Sequence, residues 1–153
     1  MMSVSDGYYA VLFKEPKSKT VGVRFPDHPS VITYGRDWKE AEEHAREALS
    51  AALEAEFERG ATLPRLSKPK AKRNEKVVFV PIDPEVRTAY LLRAWRETAG
   101  FTQKQIAQQL GVSYQAYQRM ERPGRANLTV RTLKKIAKVF QGELVLDLRF
   151  SNS

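Results

Sequence analysis

Apolar and polar residues alternate in short bursts through the first quarter of the chain. The stretches "YYAVLFKEP" (Tyr8–Pro16), "TVGVRFPD" (Thr20–Asp27) and "SVITYG" (Ser30–Gly35) are β-branched and aromatic, and Pro, Gly and Asp punctuate them. The pattern predicts three strands in an antiparallel meander. The period then lengthens to that of a helix. In "DWKEAEEHAREALSAALEAEFERG" (Asp37–Gly60), Trp38, Ala41, Ala45, Leu49, Ala52 and Phe57 mark an apolar stripe. Asp37 and Glu40 have the spacing of a capping box, and Gly60 is placed to end the helix. One helix on a small antiparallel sheet is an α+β unit, with "ATLPRL" (Ala61–Leu66) as a candidate edge segment.

Further on, "LSKPKAKRNEK" (Leu66–Lys76) has no apolar run, one proline and five basic residues in its last nine positions. This is linker composition. It predicts a solvated hinge, the sharper alternative being a basic arm against DNA phosphate. The implied domains are residues 4–66 and 77–150, with a linker over 67–76. After the linker, "KVVFVPI" reads as a strand. Asp83 then caps a helix with Pro84 at its first position, which runs to about Ala99 and stops at Gly100. More helices follow to Gln141, with Gly142 as terminator. Finally "ELVLDLRF" (Glu143–Phe150) alternates Leu144, Leu146, Leu148 and Phe150 against charged neighbours, which predicts a strand. Two short strands thus flank a mostly helical unit. They can pair with each other or across a dimer, so Val78, Val80, Leu144, Leu146 and Leu148 are candidate dimerisation residues.

Within that helical unit, "FTQKQIAQQLGVSYQAYQRMERPG" (Phe101–Gly124) fits a helix-turn-helix at every required offset. Thr102 and Gln105 form a T-x-x-Q capping box. Ile106 and Leu110 face inward, and Ala107 is small where the second helix approaches. Gly111 turns the chain with positive φ, Val112 plugs the corner and Ser113 caps the next helix. Tyr117 and Met120 return to the seam. The second helix exposes Ser113, Tyr114, Gln115, Gln118, Arg119 and Arg122, with only Glu121 as a nearby acid. Gln pairs bidentately with adenine and Arg with guanine, so this face predicts DNA reading rather than mere solvation.

Charge reinforces the division. Residues 1–66 carry −2, residues 67–87 carry +3 and residues 88–153 carry +7, within a net charge of +8 over 153 residues. A mildly acidic half beside a basic half suggests two surfaces with different partners. There is no cysteine and only His28 and His44, so disulfides, thiolate chemistry and a metal cluster are not expected. No stretch approaches the roughly 18 apolar residues of a membrane span, and the start lacks a signal-peptide pattern. A cytoplasmic location, with no membrane contact and no cofactor, is expected.

Leu91–Phe140 resembles the phage-repressor-like helix-turn-helix family. The resemblance implies that Gln103 meets a phosphate, that Tyr114 and Gln115 meet base edges with Arg119 one turn on, and that the module binds double-stranded DNA as a dimer. Tyr117 departs from the family's Ile or Val, so its hydroxyl needs a partner. The remainder resembles the HicB family, antitoxins of HicA–HicB toxin–antitoxin pairs. The resemblance rests on the opening strand, the "FPD-x-P" corner (Phe25, Pro26, Asp27, Pro29), the "T-x-G" approach, the "EA-x-x-x-A-x-x-AL" helix and Pro64. The "VPI" strand, the helix-turn-helix and "ELVLDL" resemble longer members of the family. His28 and Ser30 replace the family's usual Leu and Gly at the corner.

The HicB resemblance implies a truncated ribonuclease H-like N-terminal fold. The predicted strands "YYAVLF" and "VGVRF" hold no acid and Asp27 sits alone in a turn, so the carboxylate cluster of a metal-dependent nuclease is missing and no enzyme activity is expected. The implied function is an antitoxin that binds a small HicA-like, mRNA-cleaving toxin and represses its own operon by binding operator DNA as a homodimer or tetramer. Phe25, Pro26, Asp27, Glu40, Glu43 and Glu47 are the candidate toxin contacts, and Glu54 and Glu58 extend the acidic row. A solvated helix face explains the glutamates equally well. The alternative function is a stand-alone DNA-binding regulator whose small N-terminal domain senses a ligand.

Overall fold

The computed structural model describes residues 4–126 and 128–150. They divide into two compact units between Leu91 and Leu92. In the first unit, the three expected strands are β1 (Gly7–Phe13), β2 (Val21–Phe25) and β3 (His28–Gly35), followed by helix α1 (Trp38–Glu58). A fourth strand, β4 (Glu75–Pro81), completes an antiparallel sheet in the order β3-β2-β1-β4.

Alternation puts Tyr8, Ala10, Leu12, Val21, Val23, Phe25 and Val31 on one face, where α1 covers them with Ala41, Ala45, Leu49, Leu53 and Phe57. The helical stripe therefore runs through Leu53, while Ala52 is only half-buried and Trp38 lies outside it, exposed. At Gly35 α1 comes so close that a Cβ would lie 2.3 Å from the Ala41 nitrogen, so only glycine lets β3 and the helix touch there. The α1 cap is as expected: the Asp37 carboxylate accepts from the Glu40 N–H at 2.9 Å. Gly60, with φ of 78°, follows the last turn.

Three expectations are corrected in this unit. The first concerns the division at residues 67–76. β4 pairs with β1 from Gly7↔Pro81 to Phe13↔Glu75, and Val80 and Ile82 are buried in the same core, so the segment belongs to the first unit. Val80 is thereby buried inside this core rather than exposed for a dimer interface, while Val78 is packed, partly buried, against it. The second concerns the hinge. Residues 61–72 form no strand, but they are tied down: the Tyr8 hydroxyl donates to the Pro64 carbonyl at 2.8 Å, and the Asp27 carboxylate accepts from the Ser67 N–H at 2.9 Å and from the Ser67 hydroxyl. The third is "ATLPRL", which lies within this stretch and is no edge strand.

Helix α2 (Pro84–Thr98) begins where expected, with the Asp83 carboxylate accepting from the Glu85 N–H at 2.9 Å. Its Val86, Ala89 and Tyr90 complete the first core, and the Tyr90 hydroxyl donates to the Leu53 carbonyl at 2.7 Å. Gly100, with φ of 74°, follows its end. The second unit continues with α3 (Gln103–Leu110), α4 (Tyr114–Met120) and α5 (Val130–Val139). Gln141, not Gly142, takes the left-handed conformation after α5, with φ of 55°. Glu143–Phe150 is not a strand: among the described residues it joins no ladder, and Val145, Leu146, Leu148 and Phe150 are exposed. No helix among the described residues is long and apolar enough to cross a membrane.

Candidate functional site

The helix-turn-helix is built from local signals. Thr102 accepts from the Gln105 N–H at 3.2 Å while the Gln105 side chain accepts from the Thr102 N–H at 2.8 Å, closing the capping box. Gly111 adopts φ 69°, ψ 31°, and the Val112 N–H reaches back to the Ala107 carbonyl at 3.0 Å. Ser113 caps α4 through the Ala116 N–H at 3.1 Å. Ile106, Ala107 and Tyr117 form the buried seam, with Phe101, Leu110, Val112, Met120, Val139 and Phe140 packed around it.

At the end of this seam lies an arrangement that the sequence pattern did not reveal. Glu121 is buried, and its carboxylate collects four donors. The Arg96 Nε lies 2.5 Å from Oε1 and the Arg96 Nη2 3.1 Å from Oε2, a bidentate pair. The Gln103 amide donates to Oε2 at 2.8 Å, and the Tyr117 hydroxyl to Oε1 at 2.7 Å. The third guanidinium nitrogen, Nη1, donates to the Phe101 carbonyl at 3.0 Å. One carboxylate thus ties α2, the start of α3 and the end of α4 together. Hydrogen bonding to Glu121 raises the Arg96 pKa above its ordinary value. Burial, then the bond to Glu121, raises that of the Tyr117 phenol. The available signal was Glu121 itself, an acid closing a helix that otherwise bears only neutral and basic residues.

The candidate reading residues sort by what else they do. Gln115, Arg119 and Arg122 are exposed; Gln115 and Arg119 share one face of α4 at i and i+4, whereas Arg122 lies just past the C-cap Glu121, outside the helix. Tyr114 and Gln118 are half-buried and hold each other, the Gln118 amide donating to the Tyr114 hydroxyl at 2.8 Å. Lys104 lies over the Tyr114 ring at 5.6 Å. Thr102 and Ser113 spend their hydroxyl oxygens on caps. Gln103 spends one amide hydrogen on Glu121, leaving one hydrogen and its carbonyl oxygen for an outside partner.

In the first unit the candidate partner residues separate. Phe25 is buried in the core that α1 covers and so offers no exposed side chain to a partner. Asp27 is half-buried and engaged with Ser67, and Pro26 is half-buried beside it. Glu40 is held by Arg36, whose Nε donates at 2.9 Å and whose Nη2 lies 2.7 Å away; this bonding lowers its pKa to about 2. Glu43, Glu47, Glu54 and Glu58 remain, all exposed and all within roughly 60° of one helical arc. Glu42 and Glu56 lie off this row and face Lys76 and His28. The first unit therefore presents an acidic ridge along α1. Among the described residues no cluster of three or more His, Cys, Asp or Glu could hold a metal ion.

Comparison with known proteins agrees with this two-part layout. A family described as the HicB-like antitoxin of bacterial toxin–antitoxin systems matches residues 7–89, and a helix-turn-helix family matches residues 92–146. Among solved structures, the chain is similar to the N-terminal domain of the Burkholderia pseudomallei antitoxin HicB. That match has 19% identity and a TM-score of 0.37, and it covers 49% of this chain and 96% of that one. It is also similar to a chain of a HicA3–HicB3 toxin–antitoxin complex, with 27% identity and a TM-score of 0.39, covering 50% of this chain and 98% of that one. No curated protein matches.

Proposed function

Because the chain belongs to the HicB-like antitoxin family, and joins that domain to a helix-turn-helix unit, we propose that it is a two-handed antitoxin of the cytoplasm. The first unit binds and occludes a small, basic, HicA-like ribonuclease. The second binds operator DNA and represses the operon that encodes both proteins. The observation that carries the reading is the opposed chemistry of two exposed helical faces. Glu43, Glu47, Glu54 and Glu58 form an acidic ridge on α1, and Gln115 and Arg119 on α4, with Arg122 just past its cap, form a hydrogen-bonding, cationic one. An RNA-cleaving partner must itself attract polyanions, so an acidic ridge speeds its capture and competes with its substrate.

The test is co-expression of the full chain with the small reading frame adjacent to its gene. Stoichiometric co-purification of a basic protein, together with relief of its toxicity, is expected. Charge reversal at Glu43, Glu47, Glu54 and Glu58 should slow association and weaken its dependence on salt. If the full chain neither captured that protein nor relieved its toxicity, the antitoxin reading would be lost.

A further inference from the structure

Between Gly60 and Asn74 the chain carries five cations and no acid. Lys68, Lys70, Lys72 and Arg73 are all exposed, and among the described residues none of their charged groups forms an ion pair within 4.0 Å. A lysine-rich run on a floating linker would be unremarkable. This one is fastened to the first unit. Its beginning is held by the Tyr8–Pro64 and Asp27–Ser67 hydrogen bonds. Lys68 sits over the Tyr9 ring at 5.7 Å. At its end the Glu75 carboxylate accepts from the Lys72 N–H at 2.9 Å and from the Arg24 guanidinium at 2.9 Å, and these bonds hold its pKa below the ordinary carboxylate value. Asn74, with φ of 68°, then turns the chain into β4.

We propose that this strap is a second, sequence-independent nucleic-acid contact that grips the phosphate backbone of double-stranded DNA. The proposal rests on the DNA-binding reading above and adds a site to it outside the helix-turn-helix. Pro69 fixes its own φ and biases Lys68 towards extended backbone. In extended chain, alternate side chains share a side at roughly 6.6 Å spacing. Lys68, Lys70 and Lys72 can therefore form a ladder of positive charge, twice the ~3.4 Å axial step between charges on one DNA strand. Because the backbone is already anchored, its ordering is not a new cost on binding. The strap's sign also sets it apart from the acidic ridge of α1, so it is unsuited to a basic toxin.

The experiment measures the salt dependence of binding by the full chain to two duplexes, one carrying the region upstream of its own reading frame and one scrambled. Each phosphate contact contributes about 0.9 to the slope of log K against log salt. The variant Lys68→Gln/Lys70→Gln/Lys72→Gln should be shallower by about 2.7 on both duplexes, with the preference between them retained. The Lys→Arg triple should keep the original slope. Lys14→Gln/Lys17→Gln/Lys19→Gln removes the same charge from the β1–β2 connection and should leave the slope alone. Lys70→Gln/Lys72→Gln spares the Lys68–Tyr9 contact and should lose about 1.8, which guards against a folding effect.

An unchanged slope in the first triple would overturn the strap while leaving the helix-turn-helix reading intact. Equal losses in both glutamine triples would also overturn it, by assigning the effect to net charge. Failure of the original chain to bind either duplex would overturn both readings together. A flattened slope alongside an unaltered preference in Gln115→Ala would keep the strap and remove the assigned recognition helix.

Discussion

Removing the Glu121 carboxylate would leave the Arg96 guanidinium, with a side chain only 12% exposed, without its counter-charge. Glu121→Ala is expected to destabilise the second unit by about 3–5 kcal/mol, the range for breaking a buried pair from one side. Chemical denaturation followed at Trp95, which packs near Phe140 in the same unit, measures it. Tyr117→Phe deletes one of the four donors and should cost roughly 1–2 kcal/mol. It also carries a pH signature. The folded phenol has a raised pKa, so its contribution is complete below its ordinary value near 10 and fades as pH climbs beyond that. The original chain should lose stability above pH 10 more steeply than Tyr117→Phe; parallel curves would disprove the coupling. On the reading face, Gln115→Ala should cost about 1–3 kcal/mol at particular base pairs, whereas Lys134→Gln or Lys135→Gln should weaken all duplexes alike. Competition binding with single-base operator variants separates the two. The caps at Thr102 and Ser113 were legible because both partners lie within three residues. Gln103 was not: its amide is diverted by a glutamate 18 positions away.

At the scale of elements, pattern identifies what a segment is and not what it pairs with. The alternation in "KVVFVPI" correctly marks a strand, yet its ladder partner is β1, nearly seventy residues earlier, and only that pairing assigns it to the first unit. The consequence is experimental. A fragment ending at Leu66 lacks β4 and the Val80, Ile82, Val86 and Tyr90 side chains that close the core, so Tyr8, Leu12 and Phe57 lose buried contacts. Such a fragment is expected to be unfolded or molten, whereas residues 4–91 should fold alone with a cooperative thermal transition. Dispersed amide spectra from the shorter fragment would contradict this. The meander and α1 were readable because strand alternation, the Asp37 cap and Gly60 agree locally. Phe25 entered through the corner motif alone, and its burial could be seen only once the helix above it was placed.

Over the whole molecule, a HicB-like antitoxin domain is joined to a helix-turn-helix unit, and the charge split between them fits the proposal that they serve oppositely charged partners. Among the described residues Glu143–Phe150 joins no strand ladder, and Leu146, Leu148 and Phe150 are 58%, 81% and 87% exposed. Strand-like alternation outside any ladder, with its apolar side chains exposed, is the usual mark of a surface awaiting another chain. We propose that the tails of two copies pair as an antiparallel ribbon, burying Leu144, Leu146 and Leu148 between the second units. Coupling two helix-turn-helix units raises the local concentration of the second once the first is bound. It also demands paired half-sites about one helical turn, roughly 34–36 Å, apart. Truncation after Gly142 should therefore convert a dimer to a monomer by light scattering and lower operator affinity at least tenfold, with the fold of each unit and the Gln115-dependent base preference retained. A full chain that is monomeric at concentrations where it binds its operator tightly would refute the ribbon, because one unit alone has no second half-site to hold.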